Sequence, residues 1–360
     1  MDRRWRALAG CTLIGFIFLF VQVGALALVE PFKTAGYQAV EDPSDPTNSV
    51  AYVGAILVAT AGMLLAFRYD ADQLIRGVVV FSSAWLSLYI FRLVMPPVVV
   101  VGGFNVLALA LATLLGVGLL VYPEWYVIDT AGAVMGAAAA GLFGISFGIL
   151  PALLLLSVLA VYDAISVYGT EHMLTLASGV MDLKVPVVLV IPLSLSYSFL
   201  DAATPDPTAQ DGAVDPETDE EATAESAPGE EFDVESETAD ARSEQAQEPD
   251  GESDEMDAGP LERDALFIGL GDAIIPAVLV ASAAFFAPAS VKRVLGVPLP
   301  AVTAMVGTFL GLAVLLWLVL KGRAHAGLPL LNGGSIAGYL LGAVVAGIGL
   351  VEALGLAPYV

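Results

Sequence analysis

Cysteine and histidine are almost missing from this 360-residue chain, which has one Cys, Cys11, and two His, His172 and His325. A single thiol rules out an intramolecular disulfide. Two histidines with no His-Glu-x-x-His exclude a zinc site of that protease type. Gly334-Ser335 has no histidine beside it to act as base, and Gly-x-Ser-x-Gly does not occur around it. Charge is scarce too, at 14% of residues, and no basic patch is interleaved with aromatics, so nucleic acid is excluded as a partner.

What fills the chain is apolar. Hydrophobic residues make up 57% of it, and the mean hydropathy is +0.80. Repeated apolar runs of about 18 residues or more are the mark of membrane-spanning helices. The net charge of −24 belongs to one segment: residues 201–264 hold 24 Asp and Glu against 2 Arg, which leaves 14 acids and 12 bases on the other 296 residues. A block of solvated carboxylates suits a high-salt host and an ordinary charged linker equally well. Phe232 is its only aromatic residue. Such a segment cannot bury enough apolar surface to offset chain entropy, so a disordered acidic loop acting as a solvated spacer is expected.

Nine spans are predicted, at about 8–29, 50–67, 77–94, 104–122, 126–146, 148–168, 265–286, 299–320 and 328–350. The fold expected is an all-α polytopic membrane protein. Residues 1–168 carry helices 1–6, 169–200 an interfacial or extended segment, 201–264 the acidic cytoplasmic loop, and 265–360 helices 7–9. Gly102-Gly103 marks a break or tilt at the start of the fourth span. Pro186 and Pro192 interrupt the apolar run 185–199, which reads as interfacial or extended rather than as a tenth span. His172 reads as an ordinary polar residue at the interface. The first run is longer than the apolar core of a secretory signal, so it reads as a retained helix. Arg3, Arg4 and Arg6 place the N-terminus in the cytoplasm, with Arg68, Arg76, Lys184, Lys321 and Arg323 on the same side and Lys292 and Arg293 opposite. Nine spans then put the C-terminus outside and the acidic loop in the cytoplasm.

Two carboxylates interrupt this pattern. Asp163 and Asp272 lie inside apolar runs, where an acid costs roughly 2.5–3.5 kcal/mol to insert. Asp163 falls five residues before the cytoplasmic end of the sixth span, about 7–8 Å deep, and Asp272 seven residues into the seventh, about 10 Å deep. The helices run in opposite directions, yet the acids reach nearly one level. Asp129 and Glu352 sit at span ends, where water is expected to reach them. A lone buried acid is ordinarily satisfied by a hydroxyl or backbone group, or serves an ion relay. Two at matched depth suit hydrolysis: facing carboxylates in a low dielectric share a proton, one draws a proton from water, and the other polarises the peptide carbonyl. Neither a cofactor nor a metal is called for. Gly269 and Gly271 let the backbone beside Asp272 approach a neighbouring helix or a substrate.

The ordered features Tyr162-Asp163 in the sixth span and Gly269-Leu270-Gly271-Asp272 in the seventh, divided by a large hydrophilic loop, resemble the presenilin and signal-peptide-peptidase family of intramembrane aspartyl proteases, in its archaeal presenilin-like branch. The resemblance covers nearly the whole chain. That family carries Tyr-Asp, Gly-x-Gly-Asp and, at its ninth helix, Pro-Ala-Leu. The third motif is altered here to Ala326-Gly327-Leu328-Pro329, which bears on substrate preference more than on catalysis. The resemblance implies a nine-helix protease that cleaves transmembrane helices after local unwinding. Asp163 and Asp272 would be catalytic, and Tyr162, Gly269, Leu270, Gly271, Gly327, Leu328 and Pro329 would be motif or substrate-binding residues. It also implies transmembrane-helix substrates and a lipid-bilayer setting, and a homo-oligomer is compatible with it. Residues 185–199, or the chain near Leu328, would offer an edge for the unwound substrate. An ion- or proton-coupled transporter or channel using the two acids is the alternative, and a catalytically inactive membrane scaffold is a third.

Overall fold

The computed structural model describes residues 3–69, 71–169, 183–194, 197–200, 265–321 and 326–359. The acidic loop 201–264, His172 and His325 lie outside the described residues, as does the first part of the segment expected at 169–200.

Nine long helices make up the described fold: α1 (Arg3–Thr34), α2 (Thr47–Arg68), α3 (Asp72–Val94), α4 (Val106–Val121), α5 (Trp125–Ser146), α6 (Ile149–Gly169), α7 (Leu270–Phe285), α8 (Leu299–Leu320) and α9 (Gly327–Val345). A short α10 (Leu350–Ala353) follows. Seven are long and apolar enough to cross a membrane. The other two, α4 and α7, have 16 residues each, about 24 Å at 1.5 Å per residue. The outward faces of the helices carry large apolar side chains such as Phe16, Val58, Phe81, Leu114, Leu310 and Leu341. Two polar side chains turn inward and bond to backbone across helices: Ser282 Oγ donates to the Phe147 carbonyl at 2.8 Å and Asn332 Nδ2 to the Leu156 carbonyl at 2.9 Å. That is the inside-out pattern a hydrocarbon solvent demands.

At the centre, α7 packs against α1, α5, α6, α8 and α9. The facing side of α5 is nearly all Ala and Gly, so these helices approach closely: a Cβ at Gly24 would lie 2.8 Å from the Ala137 Cβ. The tightest seam joins α8 to α9. A Cβ at Gly334 would run into the Gly307 carbonyl, and one at Gly338 into the Thr303 carbonyl. This seam fixes where α9 begins, and α9 begins at the site.

Three short antiparallel strand pairs accompany the helices: β1 (Val100–Val101) with β2 (Phe104–Asn105), β3 (Val188–Pro192) with β4 (Ala265–Gly269), and β5 (Arg293–Val294) with β6 (Val297–Pro298). Gly102-Gly103 is therefore a two-residue hairpin turn and not a tilt. Both residues have positive φ, at 59° and 83°, which glycine adopts without strain. After it, the Asn105 side chain caps α4 by accepting from Leu107 N and Ala108 N.

The seventh span needs correction. Residues 265–269, expected as its first helical turns, form β4 in register with β3, pairing Val188 with Gly269 and Pro192 with Ala265. Gly269 is extended, with φ −60° and ψ 131°, and α7 starts only at Leu270. Asp272 thus sits in the first helical turn, not two turns deep. The ninth span also ends early, at Val345, where Gly347 turns the chain with φ 79°.

Candidate active site

Asp163 lies near the C-terminal end of α6 and Asp272 at the start of α7, and α9 begins between them. The Leu328 N–H, in the first turn of α9, donates to Asp163 Oδ2 at 3.0 Å. One residue earlier, a Cβ built on Gly327 would lie 3.0 Å from Asp272 Oδ2. Adjacent residues of one helix start therefore touch both carboxylates. The first N–H groups of a helix have no intrahelical acceptor and carry the positive end of its dipole, so this end of α9 is a natural partner for an anionic oxygen. Pro329 follows in the same turn, where a missing N–H costs nothing.

Asp163 is buried and Asp272 half-buried. Among the described residues no three His, Cys, Asp or Glu side chains stand together as a metal site. Of the two approaches expected of Gly269 and Gly271, to a neighbouring helix or to a substrate, the helix contact is not made among the described residues. A Cβ on Gly271 would meet nothing within 4 Å among the described residues, and one on Gly269 would meet only Asp272, at 3.7 Å from Oδ2. No packing contact there requires glycine. Among the described residues, the two glycines leave the space beside Asp272 unfilled. Leu270 between them is buried and packs into the core. Tyr162 does not join the pair and is 43% exposed. Pro276, four residues past Asp272, has no N–H to offer the Asp272 carbonyl.

The approach to Asp272 is braced from three sides. β4 runs directly into α7, and Leu270 N donates to the Val187 carbonyl at 2.8 Å, extending the β3–β4 ladder to within two residues of the acid. Arg6 Nε donates to the Leu193 carbonyl at 2.6 Å, tying α1 to the end of β3. Glu124 accepts from Ser198 Oγ at 2.7 Å and from Phe199 N at 3.0 Å, while Lys184 Nζ donates to the Phe199 carbonyl at 2.8 Å. Burial opposes charge on Glu124, but these donors outweigh it and hold its pKa below the usual value.

Sequence reasoning misplaced Asp129. It is not at a wet helix end but 6% exposed, with Oδ1 accepting from Val190 N at 2.8 Å. Its position four residues into α5 hid the fact that β3 lies across it. Glu352 is exposed, as expected. Asn332 was also missed. It stands one turn beyond Leu328 and pins α9 to α6 through the Leu156 carbonyl.

Two acids brought together inside a bundle of apolar helices, with a helix start against both, define an aspartyl site of the intramembrane kind. A family model described as signal-peptide peptidase, presenilin aspartyl protease matches residues 15–348, and the chain belongs to that family. Among solved structures it is similar to a presenilin family intramembrane aspartate protease in its C222 crystal form, at 29% identity and TM-score 0.58, covering 93% of this chain and 99% of that one. The P2 form matches at 29% identity and TM-score 0.54, covering 92% and 96%. Among curated proteins, none matches the chain.

Proposed function

We propose that Asp163 and Asp272 are the catalytic pair of an intramembrane aspartyl protease that hydrolyses peptide bonds within transmembrane segments. The observation that carries this reading is the meeting of both carboxylates at one helix start, Leu328 N–H on Asp163 and Gly327 against Asp272. That N–H stabilises negative charge on Asp163 Oδ2, which assigns Asp163 as the base and Asp272 as the acid. Water gives a proton to Asp163 as its oxygen bonds to the scissile carbon, and Asp272 protonates the carbonyl oxygen. The tetrahedral diol then collapses: the C–N bond breaks, the amine leaves with the proton held on Asp163, and one diol hydroxyl returns its proton to Asp272, leaving a carboxylic acid.

A helical peptide bond is shielded by its own hydrogen bonds, so the substrate must be unwound before it is cut. The register of the β3–β4 ladder supports a docking edge for it. Leu270 N on the Val187 carbonyl fixes the bonded pairs as 187 with 270, 189 with 268 and 191 with 266, so Ala265, Phe267 and Gly269 turn their backbone groups outward from β4. That edge leads straight to the open space beside Asp272. We take an unwound substrate strand to pair with it by strand addition. Edge pairing was expected of 185–199 or of the chain near Leu328; we assign it instead to β4, because α5 covers β3.

The positive-inside distribution supports a cytoplasmic N-terminus, an outside C-terminus and a site near the cytoplasmic face of the cell membrane. The test is hydrolysis of a generic transmembrane substrate by purified protein in liposomes, with ion flux read in parallel. Cleavage that disappears in Asp163→Asn upholds the reading. Flux without cleavage in the wild type would overturn it in favour of a transporter.

A further inference from the structure

We propose that Asp129 is a positioning residue that closes the outer edge of β3 and so confines an incoming substrate strand to β4. The proposal rests on the strand-addition reading above.

The two strands of the β3–β4 pair differ at their outer edges. By the ladder register, Val188, Val190 and Pro192 face outward from β3. Pro192 has no N–H to offer. The Val190 N–H is held at 2.8 Å by Oδ1 of Asp129, a carboxylate 6% exposed on α5. One turn further along α5, Gly132 lets the strand settle against the helix: a Cβ there would be 3.3 Å from Leu189 Cδ2 and 3.6 Å from Leu270 Cδ1. All three central residues of β3 are buried, whereas Phe267 of β4 is half-buried and Gly269 exposed. An open strand edge is a template for any extended chain. Here one edge is occupied by a side chain and its helix, while β4 ends at the exposed Gly269, three residues before Asp272.

The same bond reaches the catalytic level. Asp129 fixes Val190; β3 fixes β4 through the ladder; and the Val187 carbonyl fixes Leu270 N at 2.8 Å, two residues before Asp272. A carboxylate buried to hold one N–H is a poor device for stability, since an apolar side chain would fill the site at less cost. What it secures is the lateral position of the strand from which Asp272 is hung. Register in a sheet is all-or-none, because a one-residue slip turns every side chain over. Loosening β3 therefore changes which substrate bond meets the pair.

The test uses the full-length purified protein and one transmembrane substrate, with products identified by mass spectrometry and melting temperature measured alongside. Asp129→Ala removes the acceptor, and Val190→Pro removes the donor without touching a β3–β4 bond. Each should spread cleavage over neighbouring bonds and lower kcat/KM about tenfold, the two together doing no more than either alone. Asp129→Asn keeps an acceptor oxygen and should restore the wild-type products. The control is Phe267→Pro, which deletes an outward N–H from β4 and spares the ladder.

Loss of cleavage in Phe267→Pro beside wild-type products in Asp129→Ala overturns the proposal and leaves strand addition standing. Wild-type cleavage in Phe267→Pro overturns both. Failure of Asn to restore the products overturns the acceptor role. Loss of fold in both Asp129→Ala and Val190→Pro assigns the residue to stability and overturns the proposal as well.

Discussion

Replacing Gly271 with alanine separates packing from catalysis. The added Cβ meets no atom within 4 Å among the described residues, and Gly271 has no positive φ to lose. It lies in the first turn of α7, where alanine is the better helix former by up to about 1 kcal/mol, and it trims the entropy of the unfolded chain. The melting temperature should therefore hold or rise slightly. Activity should move the other way. If the space beside Asp272 is where the substrate backbone passes, a methyl group displaces it, and a shift of about 1 Å in a reacting geometry costs about a hundredfold in rate. Thermal melting in detergent and kcat/KM on one transmembrane substrate give both readings from one preparation. A stable Gly271→Ala protein with wild-type kcat/KM would refute the reasoning, because the open space would then have no occupant.

Two further outcomes follow from the bonds around the site. Leu328→Pro removes the N–H on Asp163 and Leu328→Ala keeps it. A hydrogen bond to a charged group is worth about 1.5–3 kcal/mol, so the proline variant should be about ten- to a hundredfold slower than the alanine variant, measured as kcat on the same substrate. Glu124→Gln tests the clamp on Ser198 and Phe199. The folded pKa of Glu124 is depressed, so its stabilisation is complete above the unfolded value of 4.5 and is lost as pH falls through the lower folded value. The melting-temperature gap between wild type and Glu124→Gln should be widest near neutral pH and should close in acid.

The two acids were legible in the sequence because a carboxylate inside an apolar run has few explanations, and matched depth removes most of those. The helices were legible for the same reason: hydropathy reports length and polarity, and both survive in the structure. β4 was not. Ala265-Leu266-Phe267-Ile268-Gly269 is apolar and runs unbroken into a helix, and the strand that makes it a strand lies across the acidic loop at Val188–Pro192. Pairing at that separation leaves no local periodicity. Asp129 was misread for a related cause, since its solvent contact is removed by β3 and not by its own helix. Glycine was informative in two opposite ways. Along α8 and α9 it marks backbones in contact, while at Gly269 and Gly271 it marks room left free, and nothing in the local sequence tells one use from the other.

The central claim is that Asp163 and Asp272 act as one hydrolytic unit, and groups that act as a unit are strongly non-additive. The decisive measurement is the cleavage rate of a single transmembrane substrate by purified wild type, Asp163→Asn, Asp272→Asn and the double variant, each shown to melt like wild type. Each single variant should abolish cleavage, and the double variant should lose no more than either. Substantial turnover by either single variant, or losses that multiply in the double one, would contradict the claim.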